Sequence, residues 1–229
     1  MISDLGQSVW LIRHGESAAN AGAATLTADS IPLTSRGVEQ AKTIADTLPL
    51  SPELIVTSPY LRARQTAEPT IRRYPVARVE EWRVEEFTYL SSCSGKPTTA
   101  NDRRPLVKEY WDRRDVHYCD GAGAESFAQF MQRARFAVDE LASSSYKQIA
   151  FFSHGQLIRA MIFSLLRSSP RVDSGLMKEF EYFLLSFPLQ NGAIIELASA
   201  QDGFAVMPLQ VGHLSTETVP VDLSSHLTA

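Results

Sequence analysis

The chain has 229 residues, of which 44% are hydrophobic and 21% are charged, so it can bury a substantial core within one large α/β domain. Its formal net charge of −4 and its pI near 5.8 argue against a protein that binds polyanions, because such proteins need a surplus of lysine and arginine. We therefore expect no nucleic-acid partner. Any anion site must be a local cluster of arginines.

The cysteines and the start of the chain bear on the compartment. Only Cys93 and Cys119 are present, without metal-ligand spacing, so we expect two free thiols and a reducing environment. Residues 1–7 lack the basic region and apolar run of a signal peptide, and no apolar stretch approaches the roughly 18 residues of a membrane helix. We expect a soluble, cytoplasmic protein with no membrane partner.

Short apolar runs alternate with helical spacing in the first part of the chain. Residues 8–13 are almost continuously apolar, which is typical of a strand buried on both faces. Thr34 is a predicted N-cap, and Ser58-Pro59 combines a capping residue with proline at the first helical position. The predicted elements are, in chain order, a strand over 8–13, a helix from Thr34 to Pro49, a strand over 54–57, a helix from Ser58 to about Arg73 and a strand beginning over 75–79.

The second part of the chain continues this alternation after an interruption. Residues 91–122 lack clean periodicity, and we interpret them as a lid-like excursion whose cations either form a charged surface or reach a second acidic group on a substrate. The further predicted elements are an amphipathic helix from Glu125, a strand over 148–153, a helix over 157–166, strands over 193–197 and 206–209, and a loose tail over the last ten residues. We expect a single domain over residues 1–229, with an α/β fold: a three-layer α/β/α sandwich around a mostly parallel central sheet.

Two histidines lie at equivalent places in this pattern. His14 and His154 each follow an apolar strand and precede a glycine, and ligands of open α/β sheets bind at the carboxyl ends of the strands. A single histidine at such a place is more often a structural hydrogen-bonding group. Arg13 and Arg62 also lie at strand or helix ends, and guanidinium groups match phosphate oxygens with bidentate geometry. Together the four side chains predict a shared anion site.

Five ordered blocks give the chain a resemblance to a known family. Residues 11–17 (LIRHGES), with Asn20 shortly after, resemble the signature of the histidine phosphatase superfamily, which includes the cofactor-dependent phosphoglycerate mutases. The other four blocks are Pro32-Leu33-Thr34 with Gly37, Gln40 and Ala41, residues 57–67 (TSPYLRARQTA), residues 123–127 (GAESF) and residues 152–155 (FSHG). Since the blocks recur in order over residues 9–155, coincidence does not explain them.

The resemblance implies roles for the strand-end residues. His14 would be the nucleophile, and Arg13 and Arg62 would grip the phosphoryl oxygens. His154 would be a further phosphate ligand. Imidazole attacks phosphorus only as a neutral base, so the nitrogen that faces away from the substrate must hold the proton against an acceptor such as a backbone carbonyl. Because positioned positive charges stabilise the transferred group, we expect neither a metal nor another cofactor.

Three further site residues follow from the family pattern. In this family a glutamate after the third strand, in an apolar-x-Glu pattern, protonates the leaving oxygen, and Glu86 fits this pattern with Glu85 as the reserve. The chain departs from the family here, because residues 87–90 (FTYL) replace the usual glycine-containing continuation. Asn20 is expected either to bind phosphate or to serve only as a turn residue. Gly155 is expected to let the backbone approach the site closely.

These observations predict a metal-independent phosphatase that hydrolyses small phosphate monoesters through a phosphohistidine on His14, with Glu86 as general acid and then base. One alternative is a phosphoglycerate-type mutase, although residues 82–90 depart from the mutase version of that block. Another alternative is a phosphate-recognition module without turnover. The leaving group and the oligomeric state do not follow from the sequence.

Overall fold

The structure, a computed structural model, describes residues 6–91, 96–167, 171–201 and 203–207. Within these residues the chain forms six strands and six helices. In chain order they are β1 (Ser8–Arg13), α1 (Ser35–Thr47), β2 (Leu54–Thr57), α2 (Leu61–Arg73), β3 (Arg78–Glu81), α3 (Ala100–Arg113), α4 (Phe127–Ser143), β4 (Gln148–Ser153), α5 (Gly155–Leu166), α6 (Ser174–Ser186), β5 (Ile194–Ala200) and β6 (Gly203–Val206).

The strands form one mixed sheet in the order β3-β2-β4-β1-β5-β6. β3, β2, β4 and β1 pair in parallel, whereas β5 pairs antiparallel with β1, and β6 pairs antiparallel with β5. Arg13 at the end of β1 lies opposite Ser153 at the end of β4. The next residues, His14 and His154, therefore emerge side by side at the same edge of the sheet. The predicted α/β fold is confirmed, with β5 and β6 as an antiparallel addition at one side.

Alternate residues of β1 belong to two separate hydrophobic cores, as the pleat of a strand requires. Val9 and Leu11 lie in the larger core, to which α3, α4, α5 and α6 contribute. Trp10 and Ile12 lie in the smaller core with residues of α1 and α2. Each such large side chain, when fully buried, stabilises the fold by roughly 1.5–3 kcal/mol. Helices therefore cover both faces of the sheet, and the predicted three layers are present.

The predicted start of α2 is wrong. Ser58 and Pro59 precede the helix, which begins at Leu61 with Tyr60 as N-cap and without a side-chain capping bond. The backbone continues the sheet pairing one residue beyond β2, because the Ser58 N–H donates to the Phe152 carbonyl at 3.0 Å. The Ser58 hydroxyl accepts a hydrogen bond from the Tyr60 N–H at 3.3 Å, and its oxygen also lies 2.8 Å from the Nε2 of His154 at the strand-end site.

The third and last strands are also shifted from their predicted places. β3 was predicted to begin with Pro75 but begins at Arg78, because residues 75–76 form a turn and the parallel register with β2 starts at Arg78. β6 ends at Val206. Residues 208–209 of the predicted final strand and the predicted loose tail lie outside the described residues.

Two helices lie where the sequence analysis predicted none. α3 occupies the 91–122 excursion and begins with a reciprocal capping box between Thr99 and Asp102. α6 begins at the side chain of Asp173, which accepts a hydrogen bond from the Leu176 N–H. The excursion is tied to the loop after β1, because the backbones of Thr25 and Thr98 pair in an isolated antiparallel bridge.

Three findings bear on compartment and cofactors, and each concerns the described residues alone. None of the helices has the length and apolarity that crossing a membrane requires. No group of three His, Cys, Asp or Glu side chains could hold a metal ion. Cys119 is an exposed free thiol, while Cys93 lies outside the described residues.

Candidate active site

The two strand-end histidines meet at the carboxyl edge of the parallel strands. The His14 N–H donates to the Ser153 carbonyl at 3.0 Å, which continues the β1–β4 pairing one residue further. The imidazole rings of His14 and His154 lie 5.2 Å apart, edge to face, and both side chains are buried. The sheet therefore brings together two side chains that are 140 positions apart in sequence.

His14 is held as a neutral imidazole. Its Nδ1 lies 2.7 Å from the Gly15 carbonyl, an acceptor that requires the proton on this nitrogen. Its Nε2 accepts a hydrogen bond from the Arg62 Nε at 3.1 Å, so this nitrogen carries the lone pair. Burial lowers the pKa of His14 well below its ordinary value, and the charges of Arg62 and Arg13 lower it further. The side chain is therefore a neutral imidazole at neutral pH, with a lone pair on Nε2.

The guanidinium of Arg62 lies next to the His14 ring. Its NH1 donates to the Ala28 carbonyl at 2.5 Å, and its guanidinium carbon lies 5.0 Å from the centre of the Tyr60 ring. Burial lowers the pKa of Arg62 to about 10, with Glu86 opposing this effect, so the guanidinium stays charged at neutral pH. Its position on the first turn of α2 fixes it beside the end of β1.

Arg13 lies on the other side of the site. Its NH1 donates to the Leu189 carbonyl, whereas its buried Nε makes no hydrogen bond within the described residues. A Cβ atom on Gly155 would lie 3.2 Å from this Nε, so the guanidinium packs directly against the glycine backbone. A larger residue at position 155 would displace Arg13. This contact is the close approach that the sequence analysis expected of Gly155.

His154 pairs with a residue that the sequence analysis took for a helix cap. The Nε2 of His154 lies 2.8 Å from the Ser58 hydroxyl oxygen, and its ring packs edge to face on Tyr60 at 5.2 Å. Burial lowers the pKa of His154 well below its ordinary value, and Arg62, His14 and Arg13 add to this effect. His154 is therefore also a neutral hydrogen-bonding group.

Glu86 lies at the first turn of α5. Its Oε1 accepts hydrogen bonds from the backbone N–H groups of Phe87 and Gln156, both at 3.0 Å. Its Oε2 makes one longer bond, at 3.2 Å, to the Gln156 N–H. The carboxylate is buried and interacts electrostatically with Arg13 and Arg62, in each case opposing the larger effect of burial on the arginine pKa. Oε2 therefore accepts fewer hydrogen bonds than Oε1 does.

Glu85, the reserve candidate, is placed differently. One of its carboxylate oxygens lies 3.7 Å from the NH1 of Arg133, and its side chain is 20% exposed. Arg133 also donates to the Glu85 carbonyl at 2.8 Å and forms a two-point ion pair with Glu125. The Glu125 N–H in turn donates to the Thr88 carbonyl at 2.9 Å. Glu85 and its partners therefore brace the loop that carries Glu86.

The loop after β1 is shaped by residues of the second and third family-like blocks. The Gly15 N–H donates to the Thr66 hydroxyl at 3.0 Å, and the Glu16 N–H donates to the Gln40 side chain at 2.7 Å. A Cβ atom on Gly15 would lie 2.5 Å from the Gly37 carbonyl oxygen, so the loop and α1 approach too closely for a side chain. Thr34 is the N-cap of α1, as predicted.

Asn20 is on this loop but exposed, with its side chain turned back on Ser17. Its Oδ1 accepts from the Ser17 N–H at 3.2 Å and from the Ser17 hydroxyl at 2.9 Å. A third donor is Asn191, whose Nδ2 lies 3.0 Å away. The predicted site residues His14, Arg13, Arg62, His154, Glu86 and Gly155 thus form one buried group, with Asn20 at its rim.

Four residues around this group were not predicted as site residues: Ser58, Thr66, Arg159 and Asn191. Ser58 and Thr66 belong to the third block, where Ser58 was predicted only as a helix cap, and Asn191 lies in no block. Arg159 adds a buried cation next to Arg13: its Nε donates to the Gly155 carbonyl at 2.9 Å, and burial lowers its pKa to about 10. An Asn-Gly pair, such as the one at 191–192, is a turn signal that could have pointed to the loop before β5.

Burial of two neutral histidines predicts a loss of stability in acid. The pKa of each is lowered in the folded state, so below about pH 6.5 the unfolded chain binds protons that the folded chain does not. Above that pH the two histidines have no effect on how the free energy of unfolding changes with pH. Below it, each histidine lowers the free energy of unfolding by at most about 1.4 kcal/mol per pH unit, until the pH reaches the pKa of that histidine in the folded state.

Urea unfolding of wild type and His14→Asn from about pH 7.5 to about pH 5 measures this effect. The free energy of unfolding should fall less steeply with pH in His14→Asn, and a His117→Asn control at an exposed position should follow wild type. Equal slopes in wild type and His14→Asn would contradict the neutral burial of His14.

Comparison with known proteins places the chain in a family. The model of the histidine phosphatase superfamily (branch 1) matches residues 9–207. The chain therefore belongs to the histidine phosphatase superfamily, and the predictions of a histidine phosphatase and of a phosphoric monoester hydrolase are confirmed. A curated relative, the adenosylcobalamin/alpha-ribazole phosphatase of Escherichia coli (strain K12), is 27% identical over 161 residues, which are 69% of this chain and 78% of the relative.

Solved structures share the fold over almost the whole chain. The alpha-ribazole phosphatase from Shigella flexneri has a TM-score of 0.68 at 22% identity, covering 89% of this chain and 96% of that one. The phosphoserine phosphatase from Entamoeba histolytica, in complex with 3-phosphoglyceric acid, has a TM-score of 0.67 at 21% identity, covering 91% and 99%. At these identities the likeness shows the fold alone.

Proposed function

We propose that the protein hydrolyses small phosphate monoesters without a metal, through a phosphohistidine on His14. One observation carries this proposal: the proton of His14 is held at Nδ1 by the Gly15 carbonyl, so Nε2 presents a lone pair beside the Arg62 guanidinium. A histidine held in this way is a nucleophile next to an anion-binding group. A purely structural histidine would not need a lone pair on Nε2 beside an anion-binding group.

In the first step Nε2 of His14 attacks phosphorus, and the bond between phosphorus and the leaving oxygen breaks. Glu86, protonated at Oε2, transfers its proton to that oxygen, so the alcohol leaves neutral. Arg62 exchanges its hydrogen bond to Nε2 for one to a phosphoryl oxygen. The Nε of Arg13, which makes no hydrogen bond within the described residues, is the donor available to a second oxygen.

Positive charge stabilises the transferred group, which spreads negative charge over its equatorial oxygens. Arg13 and Arg62 supply that charge, and His154 and Asn20 supply further hydrogen bonds. Removal of one such donor commonly costs about 100- to 1,000-fold in rate.

In the second step Glu86 acts as a general base, where it acted as a general acid in the first. The ionised carboxylate takes a proton from water, the resulting hydroxide oxygen bonds to phosphorus, and the bond between phosphorus and Nε2 breaks. Phosphate leaves, and both His14 and Glu86 return to their starting protonation states. The hydrogen bonds from Phe87 and Gln156 hold the carboxylate in one place through both steps.

The names of the relatives support a small substrate. The curated relative is named an adenosylcobalamin/alpha-ribazole phosphatase, and the Entamoeba histolytica neighbour is named a phosphoserine phosphatase. We take from these names the class of small phosphate monoesters.

We also propose that the chain is a single catalytic domain and that the excursion at 91–122 is a cap on it. Thr25 and Thr98 exchange backbone hydrogen bonds, both at 2.9 Å, so the start of α3 is fixed beside the loop after β1, whose Ala28 carbonyl accepts a hydrogen bond from Arg62. Three of the excursion's cations form ion pairs within the fold: Lys108 with Asp112, Arg113 with Glu109 and Arg114 with Glu181. These pairs favour a charged surface over recognition of a second acidic group.

The test is phosphate release by the wild-type protein from a panel of phosphate monoesters, with a chelator present. Release of free phosphate without added metal is the expected result. Transfer of the phosphoryl group to another hydroxyl without release would favour the mutase alternative. Binding of inorganic phosphate without turnover of any ester would favour the recognition module.

Arg62→Lys should lower kcat/KM by about 100-fold. Lysine keeps the charge but cannot donate from Nε to His14 while a second nitrogen reaches the Ala28 carbonyl. Steady-state kinetics on one ester, with thermal unfolding as a check on the fold, measures the change. Arg64→Lys, two positions along α2 and exposed, is the matched control and should retain wild-type kinetics. Near-wild-type kinetics in Arg62→Lys would show that charge alone is needed.

A further inference from the structure

The turn between α6 and β5 forms hydrogen bonds with the backbone of Arg13 and His14. The Arg13 N–H donates to the Ala193 carbonyl at 3.0 Å, and the Gly192 N–H lies 3.2 Å from the carbonyl oxygens of both Arg13 and His14. The Arg13 side chain donates to the Leu189 carbonyl in the same turn. Three residues of this turn, Leu189, Gly192 and Ala193, thus contact Arg13 or the His14 backbone, although none of them belongs to a family-like block.

Within this turn the side chain of Asn191 reaches three acceptors of the site. Its Nδ2 lies 3.1 Å from the His14 carbonyl oxygen and 3.4 Å from the Gly15 carbonyl oxygen. The Gly15 carbonyl is also the acceptor for the Nδ1–H of His14, at 2.7 Å. The third acceptor is the Oδ1 of Asn20, at 3.0 Å. The amide group of Asn191 therefore connects the Gly15 carbonyl, which accepts the His14 proton, with Asn20 at the rim of the anion site.

These contacts determine the orientation of the Asn20 amide. Its oxygen receives the Ser17 N–H, the Ser17 hydroxyl and the Asn191 amide, so a half-turn of the amide would place its own N–H groups against these donors. The Nδ2 of Asn20 makes no hydrogen bond within the described part of the chain. It is left as a donor for an incoming anion.

We propose that Asn191 is a positioning residue of the active site: it keeps the donating end of the Asn20 amide available to a phosphoryl oxygen and holds the Gly15 carbonyl against the proton of His14. This inference builds on the proposed hydrolysis. Asn191 itself touches neither the reacting atoms nor the substrate, and it acts through Asn20 and Gly15.

The experiment compares Asn191→Ala and Asn191→Asp with matched controls in the same turn, Gln190→Ala and Gln190→Asp. Gln190 is exposed, and its side chain contacts none of the site residues in the described structure. Asn191→Ala should lower kcat/KM for p-nitrophenyl phosphate by about 10- to 100-fold, because small misplacements of catalytic groups have effects of that size. Asn191→Asp keeps the shape of the side chain and should lower kcat/KM further than Asn191→Ala does, since its carboxylate accepts hydrogen bonds where the site needs a donor. Both controls should match wild type.

Two further readouts separate positioning from general damage to the fold. Vanadate, a phosphate mimic, should bind more weakly to both Asn191 variants. In a double-mutant cycle, Asn191→Ala should cost less in an Asn20→Ala background than in wild type, because part of its effect passes through Asn20. Strict additivity of the two substitutions, or Asn191 variants that match the Gln190 controls, would overturn the proposal. Should Asn191→Ala not fold, the isosteric Asn191→Asp carries the same comparison.

The binding measurement also separates this inference from the proposed function. If wild type releases phosphate and the Asn191 variants bind vanadate and turn over as the controls do, only the role of Asn191 fails. If wild type releases no phosphate but vanadate binding weakens in both Asn191 variants, hydrolysis fails and the positioning role stands.

Discussion

His14→Ala should release phosphate at least about 10⁴-fold more slowly than wild type from every phosphate monoester, because it removes the nitrogen that bonds to phosphorus. The arginines, His154 and Glu86 remain in this variant, so substrate still binds. Their electrostatic field accounts for any residual rate. Free phosphate, measured with a chelator present, gives the rate. Alkaline quenching of wild type during turnover, followed by mass spectrometry, should find the phosphoryl group on His14.

The matched control is His117→Ala, which removes an imidazole from an exposed position outside the site. It should keep wild-type turnover. The rate of phosphate release by His154→Ala should fall between those of the two variants, because this substitution removes a hydrogen-bonding group that contacts Ser58 but leaves His14 in place. Rapid turnover by His14→Ala, or a phosphoryl group found on another residue, would contradict the phosphohistidine mechanism.

The position of His14 and His154 followed from the sequence because strand burial is a local signal. Residues 8–13 and 148–153 are apolar runs, and both are strands with the predicted bounds. Parallel strands end at the same edge of a sheet, so two histidines at strand ends had to lie near that edge. That β1 and β4 are direct neighbours does not follow from either run, because strand order depends on tertiary packing.

The helices that were missed have weak local signals. α3 is rich in charged residues on most of its surface and buries only Val107, Tyr110 and Trp111, so its apolar stripe is narrow. Its start was nonetheless encoded, since Thr99 and Asp102 have the spacing of a capping box. At Ser58 a local rule was overridden by tertiary structure: the residue has the chemistry of an N-cap, but its hydroxyl bonds to His154, 96 positions away.

The acceptor of the nucleophile's proton and the role of Asn191 were beyond the sequence for another reason. The contact of Asn191 with the His14 carbonyl joins residues 177 positions apart, and no periodicity or spacing encodes such a pair. A family-like block marks a short run of neighbouring residues. It does not mark a single side chain that acts through backbone carbonyls.

Glu86→Gln should lower phosphate release from an alkyl phosphate by about 1,000-fold. Glutamine keeps an oxygen to accept the hydrogen bonds of Phe87 and Gln156, so the loop and the first turn of α5 stay in place. What it loses is the ability to give a proton to the leaving oxygen and to take one from water. Initial rates of free phosphate, with thermal unfolding as a check on the fold, measure the change.

The neighbouring carboxylate provides the control. Glu85→Gln removes a partly exposed carboxylate that lies 3.7 Å from Arg133, and an ion pair of this kind contributes at most about 1 kcal/mol. It should therefore reduce phosphate release only severalfold. If Glu85→Gln were the severely impaired variant and Glu86→Gln nearly active, the assignment of the acid would be reversed.

The choice of leaving group distinguishes the two steps in which Glu86 takes part. p-Nitrophenolate leaves without a proton, so the first step in Glu86→Gln should be nearly normal with p-nitrophenyl phosphate, while attack of water on the phosphohistidine stays slow. Rapid mixing should then show a burst of p-nitrophenolate equal to the enzyme concentration, followed by a slow steady state, and phosphohistidine should accumulate. The absence of a burst together with a slow first step would mean that Glu86 positions the phosphoryl group rather than moving a proton. A burst in Glu86→Gln that is absent in Glu85→Gln would assign the proton transfer from water to Glu86.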